Sequence, residues 1–101
     1  MYAVIRRYEG MTSVDEVVRR IEAGWLPQVK AVPGFVAYHV LDAGNGTAAS
    51  ISLFESEGGA EESSRRAVGW LRESIGALAP NPPEITAGEV RISLAREPSP
   101  L

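Results

Sequence analysis

The dipeptide Asn45-Gly46 constrains the architecture of this chain more than any other pair of neighbours. It closes the stretch Ala43-Gly44-Asn45-Gly46, which separates two strand-like runs, residues 35–42 and residues 47–54. Asn-Gly supplies the positive φ angles that a tight turn between antiparallel strands requires. The two runs are therefore joined as a hairpin, and the rest of the chain must be built around that pair.

Residues 2–8 are aromatic and β-branched and stop at Glu9-Gly10, which predicts a first strand. Ser13 then stands three residues ahead of Glu16, the spacing of a capping box, so a helix starts there. Val14, Val17, Val18, Ile21 and Trp25 recur at three- and four-residue steps, giving one apolar stripe in which Trp25 is core. Asp15, Glu16, Arg19, Arg20 and Glu22 fall outside it. Pro27 has no N–H to donate, which predicts a kink or restart before the element finishes at Val29 and Pro33-Gly34 ends it.

Beyond the hairpin, residues 61–78 predict a second helix with Ala67, Val68, Leu71, Ile75 and Leu78 inward and Glu61–Arg65 and Glu62–Arg66 pairs outward. Its entry, residues 56–60, reads as loose. Pro80-Asn81-Pro82-Pro83 stops the helix, and residues 85–95 alternate Val90, Ile92 and Leu94 with Glu89, Arg91 and Ser93 as a fourth strand.

Two strand–helix–strand units in series, with the middle strands in a hairpin, predict an α+β fold: a ferredoxin-like βαββαβ sandwich. Its four-stranded antiparallel sheet carries both helices on one face. At 101 residues there is room for one domain, placed at residues 1–95, with residues 96–101 as a flexible C-terminal tail. Phe35, Ala37, His39 and Leu41 alternate with Val36, Tyr38 and Val40, so both sides of the second strand are largely apolar. A sheet with one side in water does not read that way. With no further helix to cover the open face, a second copy is the expected cover, which predicts a homodimer closing into an α/β barrel around a cavity.

Charge and composition exclude several classes. The net charge is −3, and ten Lys and Arg are scattered among thirteen Asp and Glu, so there is no basic stripe for a nucleic-acid backbone. The absence of cysteine removes disulfides, thiolate metal sites and cysteine nucleophiles together. No apolar run approaches the roughly 20 residues that cross a bilayer, and Arg6-Arg7 interrupts the apolar start too early for a signal peptide. No membrane contact and a cytoplasmic location are expected. Asn45-Gly46-Thr47 fits a glycosylation pattern but is read as turn chemistry.

Pro33-Gly34-Phe35-Val36-Ala37-Tyr38, then a hairpin, then Ser52-Leu53-Phe54-Glu55-Ser56 leading into a helix, resembles the Pro-Gly-Phe segment and the aromatic-Glu-Ser strand end of antibiotic-biosynthesis-monooxygenase-type domains. The order of elements matches along nearly the whole chain. The resemblance implies a dimeric α/β barrel and, in some members, oxidation of polycyclic aromatic substrates without metal or flavin, so no cofactor is expected. Other members degrade haem, using an Asn on the first strand and a His on the second helix. Here the first strand offers Arg6 and Arg7 and the second helix has no His, which separates this chain from them. The oxygenases use Asn, Trp and Arg side chains in the cavity, and the second helix carries Trp70.

His39, the only histidine, shares a parity with Phe35, Ala37 and Leu41 and has two readings. Its ordinary pKa suits it to proton transfer as the catalytic base, and it equally suits a hydrogen-bonded position at a dimer interface. One histidine without cysteines makes no zinc site, so no metal is expected. Ser50 and Ser52 lie two apart with Phe54, and either hydrogen-bond a ligand in an apolar pocket or simply mark the less apolar side of the strand; neither stands in a Gly-x-Ser-x-Gly elbow. Arg6 and Tyr8 share a face of the first strand. Arg91 shares one with Glu89 and either pairs with an acid or binds an anion. Trp70 sits off the second helix's apolar stripe, where it either stacks on a flat substrate or covers the sheet edge.

The leading expectation is a homodimer that binds a small, flat, apolar or aromatic molecule, acting as a cofactor-independent oxygenase with His39 as base and Trp70 and Arg6 in secondary roles. The alternative is a non-catalytic dimeric ligand-binding or structural module. A third class, small regulatory ligand-binding domains, shares this strand order.

Overall fold

In the computed structural model, which describes residues 1–96, the chain runs β1 (Tyr2–Tyr8), α1 (Val14–Arg20), a five-residue π-helical turn (Ile21–Trp25), α2 (Leu26–Lys30), β2 (Phe35–Gly44), β3 (Thr47–Phe54), α3 (Glu57–Ser74) and β4 (Glu84–Glu89). The α1–π–α2 stretch is continuous, so two helical elements cover one antiparallel sheet of order β2-β3-β1-β4. This is the ferredoxin-like order that two split strand–helix–strand units generate. The residues 97–101 of the expected tail lie outside those described.

The local signals operate as their chemistry requires. Asn45 (φ 54°) and Gly46 (φ 77°) form the two-residue turn, and the Met11 N–H donates to the Gly46 carbonyl at 3.0 Å, tying the hairpin to the start of α1. A Cβ on Gly46 would come within 2.7 Å of the Met11 carbonyl oxygen, so glycine is required there for space as well as for φ. Ser13 Oγ accepts the Glu16 N–H at 3.3 Å, while the Glu16 carboxylate turns outward to Arg19 and Arg20. Pro27 does not break the helix. Unable to donate, it is preceded by a widened turn in which Leu26 N–H reaches back to the Ile21 carbonyl, and α2 restarts with Pro27 in its first turn.

Three expectations are corrected. First, α3 starts at Glu57, not Glu61: Ser56 Oγ caps Gly59 N–H, and Gly59 is needed because a Cβ there would meet the Pro33 carbonyl at 2.8 Å. Glycines that read as looseness are the means of close packing. The helix also ends at Ser74, and Val68 is 59% exposed instead of inward. Second, a β-bulge at Val36 lets Phe35 pair with Phe54 and Ala37 with Leu53. The slip separates Phe35 from Ala37, His39 and Leu41 and sends it to the helix side, edge-on to Phe54 with centroids 6.2 Å apart.

Third, the strand expected over residues 85–95 stops at Glu89. Glu89 pairs with Tyr2, and the Val90 N–H donates to the Met1 carbonyl at the end of the ladder. Ile92 and Leu94 are left 91% and 97% exposed.

The core lies between the helices and the face of the sheet that carries Val4, Tyr8, Ala48 and Phe54, with Val17, Ile21, Trp25 and Val29 above it. Residues of the opposite parity, among them Ile5, Ile51, Leu53, Ala37 and Leu41, form an open apolar face. No helix among the described residues is long and apolar enough to cross a membrane.

Candidate functional site

Arg6 and Tyr8 on β1, Ser50 on β3 and Tyr38 on β2 point to the helix side because strand residues of one parity share a face, and the register sets Arg6 against Ser50 and Ser50 against Val40. Above them, Trp25 from the π turn and Trp70 from α3 pack with ring centroids 5.8 Å apart and planes tilted by 36°. Gly24 allows that approach: a Cβ there would lie 2.8 Å from the Trp70 indole nitrogen. These six side chains line a cavity whose enclosed volume is about 30 Å³, room for about one water. At Arg6, Ala67 and Leu71 it meets an open groove of about 500 Å³ between α3 and the β1–β4 edge, walled by Val4, Val68 and Ile85.

The polar groups here are under-satisfied. Arg6 is only 7% exposed, and its Nη2 donates to Ser64 Oγ at 2.8 Å. The hydroxyls of Tyr8, Ser52 and Ser63 are buried without a hydrogen-bond partner, a costly arrangement in a dry interior. Burial pushes the Tyr38 phenol up to about 12, against hydrogen bonding by Ser50; Tyr8 raises it further, and Arg6 and Trp25 lower it. Burial raises Tyr8 as well, opposed by Arg6. Both phenols therefore remain protonated donors at neutral pH.

The raised Tyr38 pKa sets a pH dependence. The folded chain binds this proton more tightly than the unfolded chain, where the value is 10.0, so the stabilisation is complete below pH 10 and is lost as pH rises towards about 12. Tyr38→Phe is expected to remove about 2 kcal/mol of that alkaline loss. Urea unfolding of both proteins across this range checks it through the difference in slope.

The structure brings Arg6, Tyr8, Ser50 and Trp70 together around the cavity. Ser52 shares their face of the sheet but is sealed, 1% exposed. His39 stands elsewhere: it pairs with Ile51 and is exposed on the open face, the opposite side of the sheet from Trp70 and the serines. A cavity lined jointly by His39, Ser52 and Trp70 is therefore not formed within one chain. Arg91 is exposed beyond the end of β4 and lines neither cavity nor groove. Tyr38 and Ser64 were not expected at the site, and Trp25 was expected only as core; the alternation of Tyr38 with His39 was the signal for the first, since opposite parity places it with the serines. No group of three or more His, Asp or Glu among the described residues is placed to hold a metal ion.

No protein-family model matches the chain, and no curated protein does. Solved structures match over almost its full length. A protein of unknown function from Nitrosomonas europaea has 21% identity and a TM-score of 0.76, covering 96% of this chain and 95% of its own. The monooxygenase ActVA-Orf6 of Streptomyces coelicolor, solved in complex with nanaomycin D, has 16% identity and a TM-score of 0.70, covering 95% and 92%. SnoaB, a cofactor-independent oxygenase from Streptomyces nogalater, has 15% identity and a TM-score of 0.72, covering 94% and 97%. At these identities the likeness is one of fold: the chain has the ferredoxin-like fold of antibiotic-biosynthesis-monooxygenase-type structures.

Proposed function

On the premise of that fold, we propose that this domain is a homodimer, each protomer of which binds a small, flat, largely apolar molecule between α3 and the sheet and acts on it as a cofactor-independent oxygenase. The observation that carries the reading is the Trp25–Trp70 pair set over two protonated phenols, at the inner end of a groove large enough for a ring system. Aromatic side chains orient a flat ring, and buried phenol donors favour negative charge developing on a ring oxygen. A ring methylene conjugated to a ring carbonyl loses one proton to solvent water and becomes a carbanion delocalised onto the carbonyl oxygen. The carbanion carbon bonds to dioxygen, the resulting peroxide takes up a proton, and loss of water from that hydroperoxide leaves a new carbonyl, so the substrate supplies all four electrons. Neither a carboxylate nor an imidazole lines the inner cavity, so the domain acts by stabilising the anion. His39 takes the interface role.

The enclosed volume of about 30 Å³ favours a second reading, a non-catalytic ligand-binding dimer, because the inner cavity is too small for a ring. Oxygen uptake with dithranol (1,8-dihydroxyanthrone), in chelator-treated buffer, separates the two. The oxygenase reading expects uptake well above the protein-free rate and about a 10-fold loss in Trp70→Ala. Dithranol binding without accelerated uptake leaves the second reading; absence of both binding and uptake overturns both.

A further inference from the structure

Arg6 and Arg7 are sequence neighbours with opposite fates. Arg7 points to the open face, half-exposed, and pairs with Glu9. Arg6 points inward, and none of the ion pairs among the described residues includes it. A buried guanidinium with one neutral hydroxyl partner is an unstable arrangement for a domain of this size, since the ion has lost its water without gaining a counter-charge. Its place is equally specific: it lies where the inner cavity and the α3–β4 groove meet, between Ser50 on β3 and Ile85 on β4. Two positions along the same face, the Tyr8 hydroxyl is buried and unpartnered, a second donor at the same inner end.

Accepting the ligand-binding reading above, we infer that the ligand is an aromatic acid, whose carboxylate pairs with the Arg6 guanidinium while its rings lie along the apolar groove. Arginine's planar fork matches a carboxylate. The remaining groove walls fit the rings: Val4, Leu71, Val68 and Ile85 are apolar, with Val68 59% and Ile85 56% exposed and free to be covered. Glu57 and Glu61, the acids that also line the groove, belong to the first turns of α3. They repel an anion from that part and leave Arg6 as the place for it.

Calorimetric titration with naphthalene-2-carboxylate and its uncharged isostere naphthalene-2-carboxamide tests this. Wild type is expected to bind the carboxylate at least about 10-fold more tightly, Arg6→Met to lose the preference while still binding the carboxamide, and Arg6→Lys to keep part of it. Equal binding of the two probes by wild type overturns the acid inference and leaves the apolar groove standing, whether or not Arg6→Met folds. If neither probe binds, the ligand-binding reading falls, and the acid inference with it.

Discussion

Trp25→Ala is expected to lower the unfolding free energy by about 3–5 kcal/mol, the usual cost of emptying a large buried aromatic site. Trp25 is 4% exposed, sits on the π turn and is held between the Tyr38 side of the sheet and Trp70. Its removal joins the space of the indole to the existing cavity, and the site collapses poorly because sheet and helix fix its walls. Against the total of about 5–15 kcal/mol typical of a domain, such a loss takes a large share, and about 4–8 °C per kcal/mol gives a fall in Tm of roughly 12–40 °C. Trp25→Phe keeps most of the buried area and is expected to lose less than half as much. Thermal and urea unfolding of both variants checks the ordering. A Trp25→Ala loss under about 1 kcal/mol would mean that Trp25 is not the centre of the core.

The same residue shows how far the sequence reaches. Trp25 was legible as core because it sits at helical spacing from Val18 and Ile21, and a change of one turn to π geometry leaves that stripe intact. The hairpin was legible because Asn45 and Gly46 satisfy a strictly local demand on φ. What escaped depended on contacts between distant segments. The bulge at Val36 has no composition signal, yet it turns Phe35 to the other side of the sheet. Gly59 looks like a helix breaker until the Pro33 carbonyl appears above it.

The candidate site was legible in half of its parts for the same reason. Strand parity correctly grouped Arg6 with Tyr8 and Ser50 with Ser52. Which face bears the cavity is a matter of where the helices lie, and the apolar character of β2 on both sides gave no choice between them. His39 follows Ala37 and Leu41 to the open face; the opposite parity carries Tyr38 to the aromatic pair.

That separation of faces makes the proposed dimerisation and the proposed ligand binding independently testable. Ile51 lies at the middle of the open face, in register with Ile5 on β1 and His39 on β2. In the proposed dimer, Ile51 of each copy meets an apolar surface, and a carboxylate there would be desolvated, at a cost of several kcal/mol per copy. Ile51→Asp is therefore expected to raise the dimer dissociation constant by more than about 1,000-fold. Sedimentation should then show a 10.8 kDa monomer where wild type gives twice that mass. The monomer should remain folded, because this face bears none of the buried core, and it should still bind a flat ring, because the cavity and groove belong to one chain. A wild type that sediments as monomer sinks the dimer. A folded Ile51→Asp monomer that no longer binds a ligand held by wild type would instead place the binding site between the two sheets, with His39 at its edge.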